Sequence, residues 1–517
     1  MPSCKNLLLI PLFAFAGLGF TQGDVTQGGS LPAPSALSRA DTRPNIVFIV
    51  TDDQDLTLGS LKYMPNVRSL IGDRGLTFTN DFVSLSLCCP SRATILTGEH
   101  AHNHQVLTIT PPDGGNERFV ELGHEDANIG TAMHAAGYLT ALMGKYLNGY
   151  PRGTASTHVP PGWDEWDVPV FGAAYYEFDY QMNQNGTLVP RGHAPADYLT
   201  DVMTGRARQF IRQAAAGKAP FFLYLAPYAP HKPSTPAPRH AQLFKGVKIP
   251  RTPSFNEADV SDKPLALRGP VLTKADIAAL DTEYRLRLQS LQAVDEMVAS
   301  VMLALRNTGQ LDNTYIFFTS DNGYHMGQHR LKSGKYTPYD EDIRVPLLVR
   351  GPGVPAGRTT NAFTLNVDFA PTIAELGGAT LGTVADGRSL VPLLGGGPTP
   401  AGWRRAAFIE QFTFTEQPQG PYGILEPSEA SAADGPVEHP YHIGLRTPAY
   451  KYVEYADQER MYYDLAKDPG EIQNLAKRMD PAFLGRLSMI VHALSTCAGD
   501  TCRQLEAQPL PAPPAHR

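Results

Sequence analysis

Two apolar runs constrain this chain more than anything else in it. Asn45-Ile46-Val47-Phe48-Ile49-Val50 and Tyr315-Ile316-Phe317-Phe318-Thr319-Ser320 are nearly continuous in hydrophobic side chains. A strand with one wet face alternates apolar and polar residues, so runs of this kind predict strands buried on both faces. Such strands require helices above and below them. The sequence offers these over residues 66–73, over 129–136 with Gly137 as the stop, over 197–215 and over 274–307. In the last of these, Leu291, Val294, Val298, Val301 and Leu305 keep one apolar face. Further strands are expected at 76–78, 138–143, 220–225 and 345–349. The alternation predicts an α/β fold, a mainly parallel sheet with helices on both faces.

With 517 residues the chain suits one large domain, expected over 44–380, and a smaller C-terminal α+β domain over 381–517. In the second part, Gly- and Pro-rich stretches at 395–400 and 417–440 interrupt strand-like pieces at 406–412 and 442–445. At the other end, Lys5 precedes an apolar run over 7–20 with the small residues Ala16, Gly17 and Gly19 near its close. This predicts a signal peptide over 1–22, too short for a membrane span, followed by a flexible leader over 23–43. A secreted or otherwise extracytoplasmic protein is expected, in a periplasmic, extracellular or lysosome-like setting. Cys497 and Cys502 enclose a four-residue loop that an exported protein can close as a disulfide. Asn185-Gly186-Thr187 is a glycosylation acceptor pattern, meaningful only in a eukaryotic secretory route. The net charge of -7 argues against a nucleic-acid partner, so an anionic substrate would be held by local cations.

Ligands of open α/β sheets bind at the carboxyl ends of the strands. One buried run ends in Asp52 and Asp53, the other in Asp321 and Asn322. Three carboxylates and an amide oxygen suit Ca²⁺ or Mg²⁺ better than zinc. Asp55, close by, is expected to cap a turn or face solvent. Between these strands lies Cys88-Cys89-Pro90-Ser91-Arg92-Ala93-Thr94-Ile95-Leu96-Thr97-Gly98. A cysteine at a helix start, one turn before an arginine, has a lowered thiol pKa and a neighbourhood that favours anions. Gly144-Lys145-Tyr146-Leu147-Asn148 and Ala229-Pro230-His231-Lys232-Pro233 each follow a predicted strand, and Lys335 lies fourteen residues beyond Asp321.

Cys-x-Pro-Ser-Arg followed by Leu-Thr-Gly resembles the signature of the type I sulfatases, and the other landmarks follow in that family's order over roughly residues 43–505. The resemblance implies an alkaline-phosphatase-like fold. It also implies that Cys88 is converted to formylglycine (3-oxoalanine) by a formylglycine-generating enzyme, the hydrated aldehyde being the nucleophile. Carried over by residue, Asp52, Asp53, Asp321, Asn322 and the modified Cys88 would hold Ca²⁺, with Mg²⁺ possible. Arg92 would hold the aldehyde hydrate. Lys145, His231 and Lys335 would bind the sulfate, with Asn148 and one of His325 and His329 as further substrate contacts. His231 or Lys335 would be the proton donor, and Lys332 is an alternative to Lys335. Leu147 stands where many members have histidine. Gly-Lys-Tyr-Leu-Asn, and the Cys497–Cys502 loop followed by Arg503, are similar to the branch of N-acetylglucosamine-6-sulfatases and heparan endosulfatases.

The function expected is a sulfuric ester hydrolase, acting on a sulfated glycan or small molecule such as N-acetylglucosamine 6-sulfate. A general arylsulfatase is the alternative. A phosphonate or phosphate monoester hydrolase, a non-catalytic binder of sulfated glycan and a thiol enzyme using Cys88 itself are weaker readings.

Overall fold

The computed structural model describes residues 42–416 and 437–513. The signal segment, all but the end of the leader and most of the 417–440 stretch lie outside the described residues.

Strands are numbered in chain order: β1 Asn45–Thr51, β2 Leu76–Phe82, β3 Leu139–Gly144, β4 Glu165–Gly172, β5 Tyr180–Gln184, β6 Thr187–Pro190, β7 Phe221–Ala226 and β8 Thr314–Ser320. After them come the short pair β9 His325–Met326 and β10 Ser333–Gly334, then β11 Arg344–Arg350 and β12 Arg358–Leu365. Among the described residues ten of these form one sheet, in the order β12-β2-β11-β8-β1-β7-β3-β4-β5-β6. The centre, from β8 through β1, β7 and β3 to β4, is parallel. The antiparallel pairs lie towards its flanks, where β11 runs against both β8 and β2.

β1 shows why its sequence is apolar throughout. Ile46, Phe48 and Val50 enter one core, with Ala93, Leu96, Met133, Phe369 and Ile373 from the helices on that side. Val47 and Ile49 enter a second core on the opposite face, with Leu199, Met203, Leu291, Val294 and Val298. The predicted apolar face of the long helix Lys274–Asn307 is the one that packs there. Helices therefore cover both faces, and the carboxyl ends of β1, β3, β7 and β8 open on the same edge.

Beyond this sheet, β13 Ala407–Gln411, β16 His442–Arg446, β17 Tyr450–Tyr455 and β18 Arg460–Asp464 form, in that order, an antiparallel four-stranded sheet, and β14 Phe414–Glu416 and β15 Val437–His439 form a separate antiparallel pair. Its apolar side meets Phe483, Leu487 and Val491 of the helix Pro481–Leu494. Cys497 and Cys502 are disulfide-bonded. The carbonyl of Cys497 accepts from Asn103 Nδ2 at 2.8 Å and lies 3.0 Å from His102 Nε2, tying this loop to the chain just after the Cys88–Thr97 helix.

A buried ionic cluster joins the two sheets. Asp340, just before β11, lies 2.8 Å from both Arg446 Nη2 and Lys451 Nζ. Lys451 also reaches Glu471 at 2.5 Å. Asp340→Ala leaves two buried cations short of a counter-charge, so it is expected to cost about 3–5 kcal/mol. Urea unfolding of the variant against wild type measures this, and a loss below about 1 kcal/mol, typical of a surface pair, contradicts it.

Candidate active site

Four strand ends and one helix start build the site. The sharp turn after β1 places Asp52 and Asp53 side by side, with Asp53 in the left-handed region at φ 66. Adjacent β8 delivers Asp321 and Asn322. The backbone N–H of Asp53 donates to Asp321 Oδ1 at 3.0 Å, and Asn322 Nδ2 donates to Asp53 Oδ1 at 2.7 Å. Cys88 opens the helix Cys88–Thr97, all ten residues of which are buried. Its Sγ lies 3.5 Å from Asp52 Oδ1 and 3.8 Å from Asp53 Oδ1.

Cations enclose these groups. Lys145, one residue past β3, donates to Asp52 Oδ2 at 2.6 Å. Lys335 donates to Asp53 Oδ1 at 2.5 Å and reaches Cys88 Sγ at 2.8 Å. Arg92 Nε donates to Asp321 Oδ2 at 2.8 Å, and its Nη2 lies 3.9 Å from Asp52. His231 Nε2 is 3.6 Å from Asp53 Oδ2. Three carboxylates thus face three permanent cations in a volume closed to solvent.

This electrostatic setting fixes protonation. Burial alone would push the Asp53 carboxyl up, but the ammonium groups of Lys335 and Lys145 hold it well below the usual range. Burial raises Asp321 to about 6, with Arg92 opposing. Burial also lowers His231 to about 3, helped by Lys335 and Lys145 and opposed by Asp53, so its imidazole is neutral. For Cys88 the outcome departs from the sequence expectation: burial raises the thiol well above its ordinary value, and Lys145 and Lys335 offset this only in part. Position at a helix start does not activate a thiol that is shut away from water. An unmodified Cys88 is therefore a protonated, weak nucleophile, which counts against the thiol-enzyme reading.

The oxygens left over fit a hard divalent cation. Asp53 Oδ2 and Asn322 Oδ1 are buried and accept no hydrogen bond. Ligand atoms of Asp52, Asp53, Cys88 and His231 all lie within 4.8 Å of one another. A buried acceptor without a donor is costly unless something else satisfies it, and a cation between the Asp52, Asp53 and Asn322 oxygens would do so.

Asn148 lies farther out, in a cleft shared with Lys145, Phe171, Tyr175 and Tyr228. Its Oδ1 is buried and accepts no hydrogen bond, while its carbonyl accepts from Asn116 N at 2.8 Å. His325 pairs across β9 and β10 with Gly334, beside Lys335, and its Nδ1 is 2.9 Å from Asp342. His329 is bound instead to Glu257 at 2.8 Å and stacked on Tyr339. Lys332 is exposed, whereas Lys335 is buried among the site's groups. Asp55 does not face solvent: it is buried and accepts from Ser60 N at 3.1 Å.

The sulfatase family model matches residues 44–379. The chain belongs to the sulfatase family. N-acetylglucosamine-6-sulfatase of Homo sapiens is 35% identical over 521 residues, spanning 97% of this chain and 91% of that protein. Among solved structures, a protein in complex with its substrate D-glucosamine-2-N,6-O-disulfate superposes with a TM-score of 0.70 at 25% identity, covering 90% of this chain and 99% of that one. The phosphonate monoester hydrolase of Agrobacterium radiobacter superposes with a TM-score of 0.65 at 26% identity, covering 87% and 95%. The fold of this sulfatase is thus the alkaline-phosphatase-like one that the signature implied.

Other members of this sulfatase's site carry little sequence signal. Ser91 Oγ donates to the Asp321 carbonyl at 2.5 Å and accepts from Asn366 Nδ2 at 2.9 Å, locking the helix start to the end of β8. Arg287, inside the long helix, donates to the carbonyls of Asp53 and Pro230, so one buried guanidinium joins the β1 and β7 turns. A charged residue interrupting an apolar helical face was the available clue to Arg287.

Proposed function

We propose that this sulfatase removes the 6-O-sulfate from N-acetylglucosamine or a related sulfated glucosamine, outside the cytosol, using Ca²⁺ and a formylglycine made from Cys88. The observation that carries the reading is the Cys88 side chain, set among Asp52, Asp53 and Lys335 at the centre of the site, where burial disfavours a thiolate nucleophile. The glucosamine preference draws on the human relative and on the neighbour solved with a disulfated glucosamine.

In this reading Asp52, Asp53, Asp321 and Asn322 would hold the metal ion. Formylglycine at position 88 supplies a geminal diol, one hydroxyl to attack sulfur and a second to permit release. Lys145 and Lys335 exchange carboxylate contacts for sulfate oxygens and offset the charge that develops there. Arg92 fixes the orientation of the helix start against Asp321. We assign different parts to the two candidate proton carriers. His231 Nδ1 is 2.7 Å from the Lys232 carbonyl, which only accepts, so that nitrogen carries the proton and Nε2 is bare. A neutral imidazole with a bare Nε2 takes a proton, which leaves Lys335 to supply one to the departing alcohol.

Lys335→Ala tests that division. General-acid loss is expected to slow sugar-sulfate turnover by about 10²–10⁴-fold. Nitrophenyl sulfate, whose leaving group needs no proton, is expected to suffer much less. An equal loss on both substrates would assign Lys335 to charge stabilisation alone. For the function itself, sulfate release from N-acetylglucosamine 6-sulfate is compared with turnover of nitrophenyl sulfate and phenyl phosphonate. The phosphonate hydrolase is the second reading, favoured by its superposition, and faster turnover of phosphonate would establish it.

A further inference from the structure

Tyr175 lies in a short turn between β4 and β5, far in sequence from every residue placed in the reaction, yet it touches two of them. Its ring centroid is 4.6 Å from that of His231, and Lys145 Nζ sits 5.2 Å above the same ring. Tyr228 closes a third side edge-on at 4.9 Å. The turn that carries Tyr175 is itself pinned. Glu177 accepts from both N and Oγ1 of Thr200 at 2.9 Å, and its carbonyl accepts from Leu199 N at 2.9 Å. Tyr175 is 5% exposed and lines the cleft that Lys145, Asn148 and Phe171 share.

We propose that Tyr175 is a positioning residue of the sulfatase reaction, setting the placement of Lys145 and His231 relative to each other. The inference rests on the sulfatase reading of the site. The electron-rich face of the ring attracts the ammonium of Lys145 at a distance where such attraction is effective. The same ring limits rotation of the imidazole, whose Nδ1 is already fixed by the Lys232 carbonyl. Lys145 comes from the end of β3 and is held to Asp52, while His231 comes from the loop after β7 and lies 3.6 Å from Asp53. Tyr175 contacts both. A sulfate held between them therefore meets a fixed spacing, and the face of a sugar entering the cleft meets an aromatic edge.

The test uses an isosteric pair, so that folding is not in question. Tyr175→Phe keeps the ring and its negative face. Pentafluorophenylalanine at the same position keeps the size and reverses the face. The phenylalanine form is expected to retain kcat/KM within about threefold, and the fluorinated form to lose about tenfold relative to it, as expected for one lost cation–ring contact. Unfolding temperature and the chelator concentration at half-inactivation are expected to be the same for both, which a merely structural role would not predict. Equal kcat/KM for the two forms overturns the proposal. Binding of inorganic sulfate by both forms is measured in parallel. If wild-type protein released no sulfate from any ester, the sulfatase reading would fail, and weaker sulfate binding by the fluorinated form would still report on the placement of the two side chains.

Discussion

Cys88→Ser is expected to abolish steady-state turnover, by at least about 10⁴-fold, as removal of a nucleophile does in enzymes of the covalent type. The serine fits the space, since the helix start is held by Ser91 and Arg92 rather than by the thiol. The pocket is then intact, and the substrate still binds. A serine hydroxyl attacking sulfur expels the alcohol and keeps the sulfate, because it lacks the second hydroxyl on the same carbon whose deprotonation would form an aldehyde C=O as the C–O bond to the sulfate breaks. The sharp form of the expectation is thus a burst of no more than one equivalent of alcohol, with no free sulfate. Rapid-mixing measurement of both products decides it. Continuous sulfate release by the serine variant would show that a plain hydroxyl or water performs the reaction, and the formylglycine proposal would fall.

Asp53→Asn is expected to lower kcat/KM by at least about 10³-fold, the scale on which lost transition-state electrostatics shows. Asp53 stands at the centre of the site: it receives Lys335 and Asn322 and faces His231. An amide there cannot supply the negative charge a divalent ion requires. It also removes the counter-charge that balances the surrounding cations. A readout independent of turnover follows from linkage. Ca²⁺ at one hundred times its dissociation constant is expected to stabilise the wild-type fold by about 2.7 kcal/mol. The same addition should leave the variant's unfolding temperature unmoved. A variant that is stabilised by Ca²⁺ as wild type is would move the metal away from Asp53.

The centre of the fold was legible because its chemistry is extreme. A strand covered on both faces has no polar position to spare, so β1, β7 and β8 announce themselves. The acidic turns after β1 and β8 are equally plain, since charge follows directly on a buried run. Other parts lack such contrast. β2 and β11 alternate less clearly, and the antiparallel course of β11 between β8 and β2 depends on neighbours that no local pattern encodes. Asp55 reads as a turn cap or a solvent-facing residue; the cap forms, on Ser60 N, but the burial of Asp55 leaves no local sequence signal. Tyr175 gives no signal at all: one more aromatic in a turn, whose meaning comes only from two strands meeting beside it.

The burial of Cys88 sets a clock. The side chain is 2% exposed, and Lys335, which closes over it, lies 247 residues later in the chain. No other enzyme can reach a side chain enclosed in this way. If Cys88 becomes formylglycine as proposed, the conversion belongs to the interval between its synthesis and that of Lys335, which spans roughly 10–50 s at ordinary rates of chain growth, extended by however long the chain stays unfolded. On that proposal a protein that folds early with its thiol intact would be inactive, and the yield of working molecules would reflect a race between maturation and folding.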